Sequence, residues 1–110
     1  MNLIKYENDK FYVYLSELEH LALCEQLAST LQYDDICSFA DLDNEDLIEI
    51  NDILKEKSPP NTYEISCDTF IKLCDFLLSV GAIGYVPRHN TTLIDLNDMA
   101  IKIWRSCPRQ

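Results

Sequence analysis

The fold of this chain is decided at Phe11–Glu19, FYVYLSELE, where a strand pattern passes directly into a helix pattern. Aromatic and β-branched side chains in the first half of this stretch favour an extended strand. Ser16 and Glu19 then have the S-x-x-E spacing of a capping box, in which each side chain accepts a hydrogen bond from the backbone N–H of the other residue. The stretch therefore predicts an α+β fold in which a strand leads straight into a helix.

A second strand pattern, Leu3–Tyr6, precedes this stretch, and the polar residues Glu7–Lys10 lie between the two. Two strand patterns around a short polar segment predict an N-terminal β-hairpin. A single strand with a loose N-terminus is the alternative. The open edge of such a hairpin can accept a strand from a partner or pair two copies of this chain into a homodimer.

Three helices are predicted next from apolar residues at helical spacing and from their capping residues. Their predicted ranges are 17–31, 44–57 and 67–80. Asp43 caps the second helix, and Pro59 stops its continuation. Ser66 caps the third helix, and Gly81 stands where a left-handed C-terminal cap is usual.

The C-terminal third predicts a second hairpin and a last helix. Ala82–Val86 has a strand composition, Pro87–Asn90 a turn composition, and Thr91–Leu96 is rich in β-branched residues. The last helix then covers 97–106. An alternative starts this helix at Thr92.

The segment Phe76–Ile83, FLLSVGAI, followed by the predicted hairpin, resembles the end of the recognition helix and the wing of a winged-helix domain. The three helices within residues 17–80 are similar to that fold in number and order. The resemblance covers about 80 residues. It implies that helix 67–80 would be the element that enters the DNA major groove, with the hairpin as its wing.

The charge of these elements argues against direct nucleic-acid binding. Helix 67–80 carries one base, Lys72, against two acids, and the wing turn adds only Arg88 and His89. Neutralising phosphates needs clustered bases, and this chain has a net charge of −10. If DNA were bound, the contacts would come from the locally basic C-terminal part, through Arg88, Lys102, Arg105 and Arg109.

Length and composition predict one compact domain over residues 1–110. The chain is 47% hydrophobic and 25% charged, which is typical of a soluble globular protein with its own core. It has no apolar run of the ~18 residues that a membrane span needs. The pattern of a signal peptide is also missing, and five cysteines without a CxxC pair favour free thiols. We therefore expect a cytoplasmic α+β domain, mainly helical, with about four helices, an N-terminal hairpin and a wing-like C-terminal hairpin.

The strongest functional signal is the acidic segment 34–56, which holds nine acidic residues against one base, Lys55. Four of its acids are spaced by 4, 3 and 4 residues, so that a helix places them along one face. These four are Glu45, Glu49, Asp52 and Glu56. A solvated face that only keeps the protein in solution is the competing interpretation.

This segment predicts a surface that docks on a basic protein. The candidate partner-binding residues are Tyr33 as an aromatic anchor, with Asp34, Asp35, Asp41, Asp43, Glu45, Asp46, Glu49, Asp52 and Glu56. Complementary charge of this kind raises association rate and specificity. We therefore expect an inhibitor, such as an immunity or anti-defence protein, acting on a nuclease, a toxin or a nucleic-acid-binding defence enzyme. The alternatives are a winged-helix-like adaptor or subunit and a DNA-binding regulator.

The sequence offers little chemistry. Glu17, His20 and Cys24 have metal-ligand side chains at spacings i, i+3 and i+7, but no fourth ligand is evident and Cys24 fits the apolar face. No nucleophile elbow, phosphate-binding loop, dinucleotide fingerprint or HExxH motif is present. We therefore predict no enzyme activity, no cofactor and no metal.

Overall fold

The computed structural model describes residues 1–33, 42–82 and 90–106, and these residues form a three-stranded sheet with four helices. The antiparallel strands, in sheet order, are β1 (Asn2–Glu7), β2 (Lys10–Leu15) and β3 (Asn61–Ser66). The helices are α1 (Glu17–Tyr33), α2 (Asn44–Lys55), α3 (Cys67–Ala82) and α4 (Asn90–Ser106). The predicted α+β, mainly helical fold class is confirmed.

The N-terminal hairpin is also confirmed. Asn8 and Asp9 form its turn with φ values of 54° and 60°. Asparagine and aspartate tolerate this left-handed conformation, and two-residue turns with positive φ match the twist of the paired strands. The ladder shifts register between Leu3 and Lys5, which marks a bulge in the edge strand β1.

The third strand, β3, is absent from the sequence prediction, which assigned no element between helix 44–57 and Ser66. In the structure Asn61–Ser66 pairs along the whole of β2, with Tyr63 and Ile65 buried and Glu64 exposed. Only two buried residues mark the alternation of buried and exposed side chains that indicates a strand, and a proline pair precedes them. The local sequence pattern for β3 is therefore weak. Pairing with β2 decides the strand. Ser66 still caps α3, because its Oγ accepts the N–H of Thr69 at 3.3 Å.

Local capping starts α1 where the sequence indicates. The Ser16 N–H donates to Glu19 Oε1 at 3.0 Å, and the Glu19 N–H donates to Ser16 Oγ at 3.2 Å. Both halves of the predicted capping box are therefore formed, and α1 begins at Glu17.

The predicted wing is wrong in its returning strand. Residues 91–96 belong to α4, which begins at Asn90, and Gly81 lies inside α3 rather than capping it. The segment 83–89 lies outside the described residues. The β preference of threonine and isoleucine is weak, and packing overrides it: helical spacing places Leu96, Ala100 and Ile103 in the core. The alternative of a longer last helix was closer, and the winged-helix resemblance fails at this element.

An aromatic cluster joins the sheet to two helices. Phe11 of β2 stacks on Phe70 of α3, with ring centroids 4.3 Å apart. Trp104 of α4 lies 5.9 Å from the Phe11 ring and 6.3 Å from the Phe70 ring. Phe11 and Phe70 are fully buried, so this cluster packs β2, α3 and α4 together in the core.

The helices pack in the ring order α1–α2–α3–α4, and α4 closes the ring on α1. Each helix therefore has two helical neighbours, and α2 and α4 lie diagonally across the ring. This arrangement leaves one side of every helix outside the ring. It also places the acidic α2 beside α1 and α3.

Candidate partner-binding surface

The acidic face of α2 points outward because the opposite face of the helix is apolar and buried. Leu47, Ile50 and Leu54 are buried and fix the rotation of the helix. The predicted row of four acids, Glu45, Glu49, Asp52 and Glu56, is exposed on the other side. Residues at these spacings are neighbours on a helix surface, and like charges there oppose helix formation by about 0.2–0.5 kcal/mol per pair.

Three of these acids have no ion pair with any residue in the described ranges. They are Glu45, Asp52 and Glu56. Over residues 45–56 they extend along about 16 Å of helix axis. Their charge is therefore available to a partner.

Glu49 and Asp46 serve the packing of α2 on α3 instead. Lys72 Nζ of α3 lies 2.7 Å from Asp46 Oδ1 and 3.6 Å from Glu49 Oε2. The Thr69 hydroxyl, which is buried, donates to Glu49 Oε1 at 2.9 Å. These two predicted partner-binding residues thus have partners within the chain, which the acidic spacing alone could not reveal.

Asp43 is a helix cap. Its Oδ1 accepts the Asp46 N–H at 2.9 Å, and its own N–H donates to Asp46 Oδ2 at 3.2 Å. This is a complete capping box at the start of α2. Asp43 is exposed, so it adds charge to the acidic surface as well.

We expect Asp43→Ala to lower the free energy of unfolding by about 1 kcal/mol, because it leaves an N-terminal N–H of α2 without its acceptor. Urea denaturation followed by circular dichroism measures this change. Asp52→Ala is the matched control: it removes the same charge from the middle of the same helix and should stay within about 0.5 kcal/mol of the parent. Equal losses in both variants would contradict the capping role.

The pair Asp46–Lys72 makes stability depend on pH. The hydrogen bond from Lys72 lowers the pKa of Asp46 below its ordinary value of 3.8, and the backbone N–H of Asp43 adds to this. A lowered carboxyl pKa gives stability that is present above the unfolded-state pKa and is lost as pH falls through the folded-state pKa. The same contact with Asp46 raises the pKa of Lys72, so its contribution is lost only at strongly alkaline pH.

We therefore expect the unfolding free energy to fall on acidification below about pH 4, with a shallower fall in Lys72→Met than in the parent. Urea titrations across the acid range measure both curves. Lys55→Met serves as the control, since Lys55 is exposed and has no ion pair among the described residues. Parallel acid limbs in the parent and Lys72→Met would refute the assignment.

Four of the predicted partner-binding residues lie outside what the structure describes of this surface. The side chain of Tyr33, the last residue of α1, and the residues Asp34, Asp35 and Asp41 lie outside the described part of the chain. Their assignment to a partner-binding surface stays a prediction.

Ile48 is the residue of this surface that the sequence reasoning missed. Its side chain is 46% exposed on α2, and its position places it three residues after Glu45 and four before Asp52. These are its neighbours on the helix surface. The signal was in the sequence, because Ile48 does not belong to the inward stripe of Leu47, Ile50 and Leu54.

Of the three side chains weighed as metal ligands, His20 joins α1 to the end of α2. His20 Nε2–H donates to the Leu54 carbonyl at 2.7 Å, and its ring stacks on Tyr63 with centroids 5.7 Å apart. Cys24 Sγ lies 3.7 Å from His20 Nδ1, and burial raises the pKa of the Cys24 thiol, which disfavours a reactive thiolate. Within the three described ranges, no three His, Cys, Asp or Glu residues are grouped to hold a metal ion.

Two of the basic candidates for DNA contact lie on α4, diagonally across the helical ring from α2. Lys102 and Arg105 are exposed on α4, beside an open depression of about 410 Å³ that Asp98, Ile101 and Ser106 also line. Arg88 and Arg109 lie outside the described residues. Since α4 is diagonal to α2, Lys102 and Arg105 lie on a different side of the helical ring from the acids of α2.

Comparisons with known proteins give no guide to this surface. No protein-family model, curated protein or solved structure matches the chain.

None of the helices in the described ranges combines the length and apolar character that crossing a membrane requires.

Proposed function

We propose that this chain is a protein-binding inhibitor, of the immunity or anti-defence kind, which docks the outward face of α2 on a basic partner. One observation supports this more than any other: exposed Ile48 stands among carboxylates without ion pairs, Glu45 and Asp52, with Glu56 one turn further along. Ile48 lies beside the row of acids, so this face offers apolar contact to a partner as well as charge.

Charge and apolar contact have different roles in this interface. The carboxylates attract a basic surface over a Debye length of about 8 Å at physiological salt, which raises the association rate. Ile48 supplies the desolvated contact that lowers the dissociation rate, since affinity comes mainly from a few buried anchors. The surrounding acids also disfavour neutral and acidic partners.

A basic groove that normally binds nucleic acid fits this surface best. The three carboxylates without ion pairs extend over about 16 Å, a length over which one DNA strand carries about five phosphates. A nuclease, toxin or defence enzyme presents lysine and arginine over such distances to grip phosphates. Carboxylates in the same row would occupy these bases and exclude the nucleic acid.

The proposal places the encounter in the cytoplasm. Among the described residues, Cys24 and Cys67 are free thiols. Free thiols persist in a reducing compartment, where an inhibitor of an intracellular nuclease would act.

The direct test is titration of the purified chain against a panel of basic nucleases and toxins, starting with any that are encoded next to it. Calorimetry should find a 1:1 complex with at least one of them, and raised salt should weaken this complex. Nuclease activity should fall in proportion to complex formation. A labelled DNA duplex should show no mobility shift with the chain at low salt.

Two results would reject the proposal. One is a failure to bind every basic protein of the panel at low salt. The other is retarded DNA in the absence of any nuclease, which would favour a DNA-binding regulator instead.

A further inference from the structure

The helix α3 has exposed apolar residues in addition to its buried ones. Its inward residues, among them Phe70, Leu73 and Phe76, are fully or almost fully buried. Ile71 and Leu78 are 39% and 55% exposed on the outside of the helix. The buried residues are sufficient to pack α3 in its own domain, so Ile71 and Leu78 are not needed for that packing.

Acids alternate with these apolar residues along the same stripe. Asp68, Ile71, Asp75 and Leu78 follow one another at intervals of 3, 4 and 3 residues, and all four are exposed. This spacing keeps them on one side of an α-helix over about three turns. We call these four residues the α3 stripe.

The described elements leave the α3 stripe uncovered. α3 packs on β3 and β2 with its inward side and on α2 and α4 with its flanks. The only base of α3, Lys72, lies on the flank towards α2, where Asp46 and Glu49 engage it. The stripe therefore carries negative charge and apolar surface without a neutralising base of its own.

We propose that the α3 stripe binds an amphipathic helix of a partner protein that carries basic residues beside its apolar face. Apolar residues seven apart, such as Ile71 and Leu78, match the i, i+3/i+4, i+7 anchors by which one helix packs along another. Asp68 and Asp75 flank them and pair with lysine or arginine at the edges of the incoming helix. This surface is separate from the outward face of α2 and does not depend on it.

Charge decides against the other occupants. A second copy of this chain would bring Asp68 and Asp75 against the same acids of its partner, with no base on the stripe to pair with them. Like charges brought together at an interface cost binding free energy. Nucleic acid and anionic membrane surfaces are repelled for the same reason.

The probe is a labelled synthetic helical peptide with leucine at heptad a and d positions and lysine at e and g. Its matched peptide has glutamate in place of lysine. Fluorescence anisotropy with the full chain should show binding of the lysine peptide and none of the glutamate peptide. Leu78→Ser and Asp75→Lys should each weaken binding about tenfold.

Leu21→Ser is the control variant. Leu21 is 47% exposed on α1, which lies across the helical ring from α3, so this variant should bind the lysine peptide as the parent does. Circular dichroism of every variant checks that its fold is kept. Because Asp75 and Leu78 are both exposed, two independent variants report on the same stripe.

Three results would overturn the proposal. The first is failure of the parent chain to bind the lysine peptide. The second is undiminished binding by Leu78→Ser, which would mean attraction by net charge alone. The third is sedimentation of the parent as a dimer that Leu78→Ser converts to a monomer, which would assign the α3 stripe to a second copy.

Discussion

Replacing Phe70 with alanine is expected to lower the free energy of unfolding by about 3–5 kcal/mol, the largest single effect on stability that we predict. Phe70 is fully buried and stacks on Phe11 at 4.3 Å, with Trp104 against both rings. The variant loses the transfer free energy of the ring and leaves a cavity between sheet and helices. Domains of this size are stable by about 5–15 kcal/mol, so this loss is a large share of the total.

Trp104 is the only tryptophan of the chain, and its place in this cluster makes its fluorescence a direct probe. Urea denaturation should show a lower midpoint for Phe70→Ala. Ile71→Ala is the matched control, because it shortens the neighbouring exposed side chain of the same helix and should cost far less. Similar losses for both variants would mean that the aromatic cluster is not central to the core.

Reversing the charges of α2 is expected to abolish binding to a basic partner while the fold is kept. In the triple variant Glu45→Lys, Asp52→Lys, Glu56→Lys, attraction to a basic groove becomes repulsion. None of the three acids has an ion pair within the described residues, so the chain loses no contact of its own. Affinity should fall at least about 100-fold, because association becomes slower and dissociation becomes faster.

The control for this triple variant is one with the same change in net charge elsewhere. Glu17→Lys, Asp95→Lys, Asp98→Lys reverses three exposed acids of α1 and α4, and it should bind within a few-fold of the parent. Ile48→Ser tests the apolar anchor and should weaken binding about tenfold without altering its salt dependence. If both triple variants lost binding equally, overall charge and not the face of α2 would be responsible.

Elements with local chemistry were predictable. Ser16 with Glu19 and Asp43 with Asp46 form capping boxes between residues three apart, so their partners are already present in the sequence. The turn at Asn8–Asp9 is equally local, since its left-handed backbone depends on those two residues themselves. Helix periodicity then placed the acids of α2 on one exposed side.

Elements decided by distant contacts were not predictable. β3 exists because Tyr63 and Ile65 pair opposite Val13 and Phe11 across the sheet, far away in the chain. The first turn of α4 contains residues with β preference, yet it is helical as part of a helix whose later residues Leu96, Ala100 and Ile103 are buried. Short-range preferences of about 1 kcal/mol cannot resist such burial.

By itself, the sequence determined the α+β class, the hairpin, the starts of α1, α2 and α3 and the acidic side of α2, because residues a few positions apart set all of them. The tertiary structure alone decided which acids are available to a partner. It turned Asp46 and Glu49 towards Lys72 and Thr69 of α3, and it left Glu45, Asp52 and Glu56 around an exposed Ile48. Partners twenty or more residues away become neighbours only when helices pack, and packing follows the burial of the whole core rather than any local pattern.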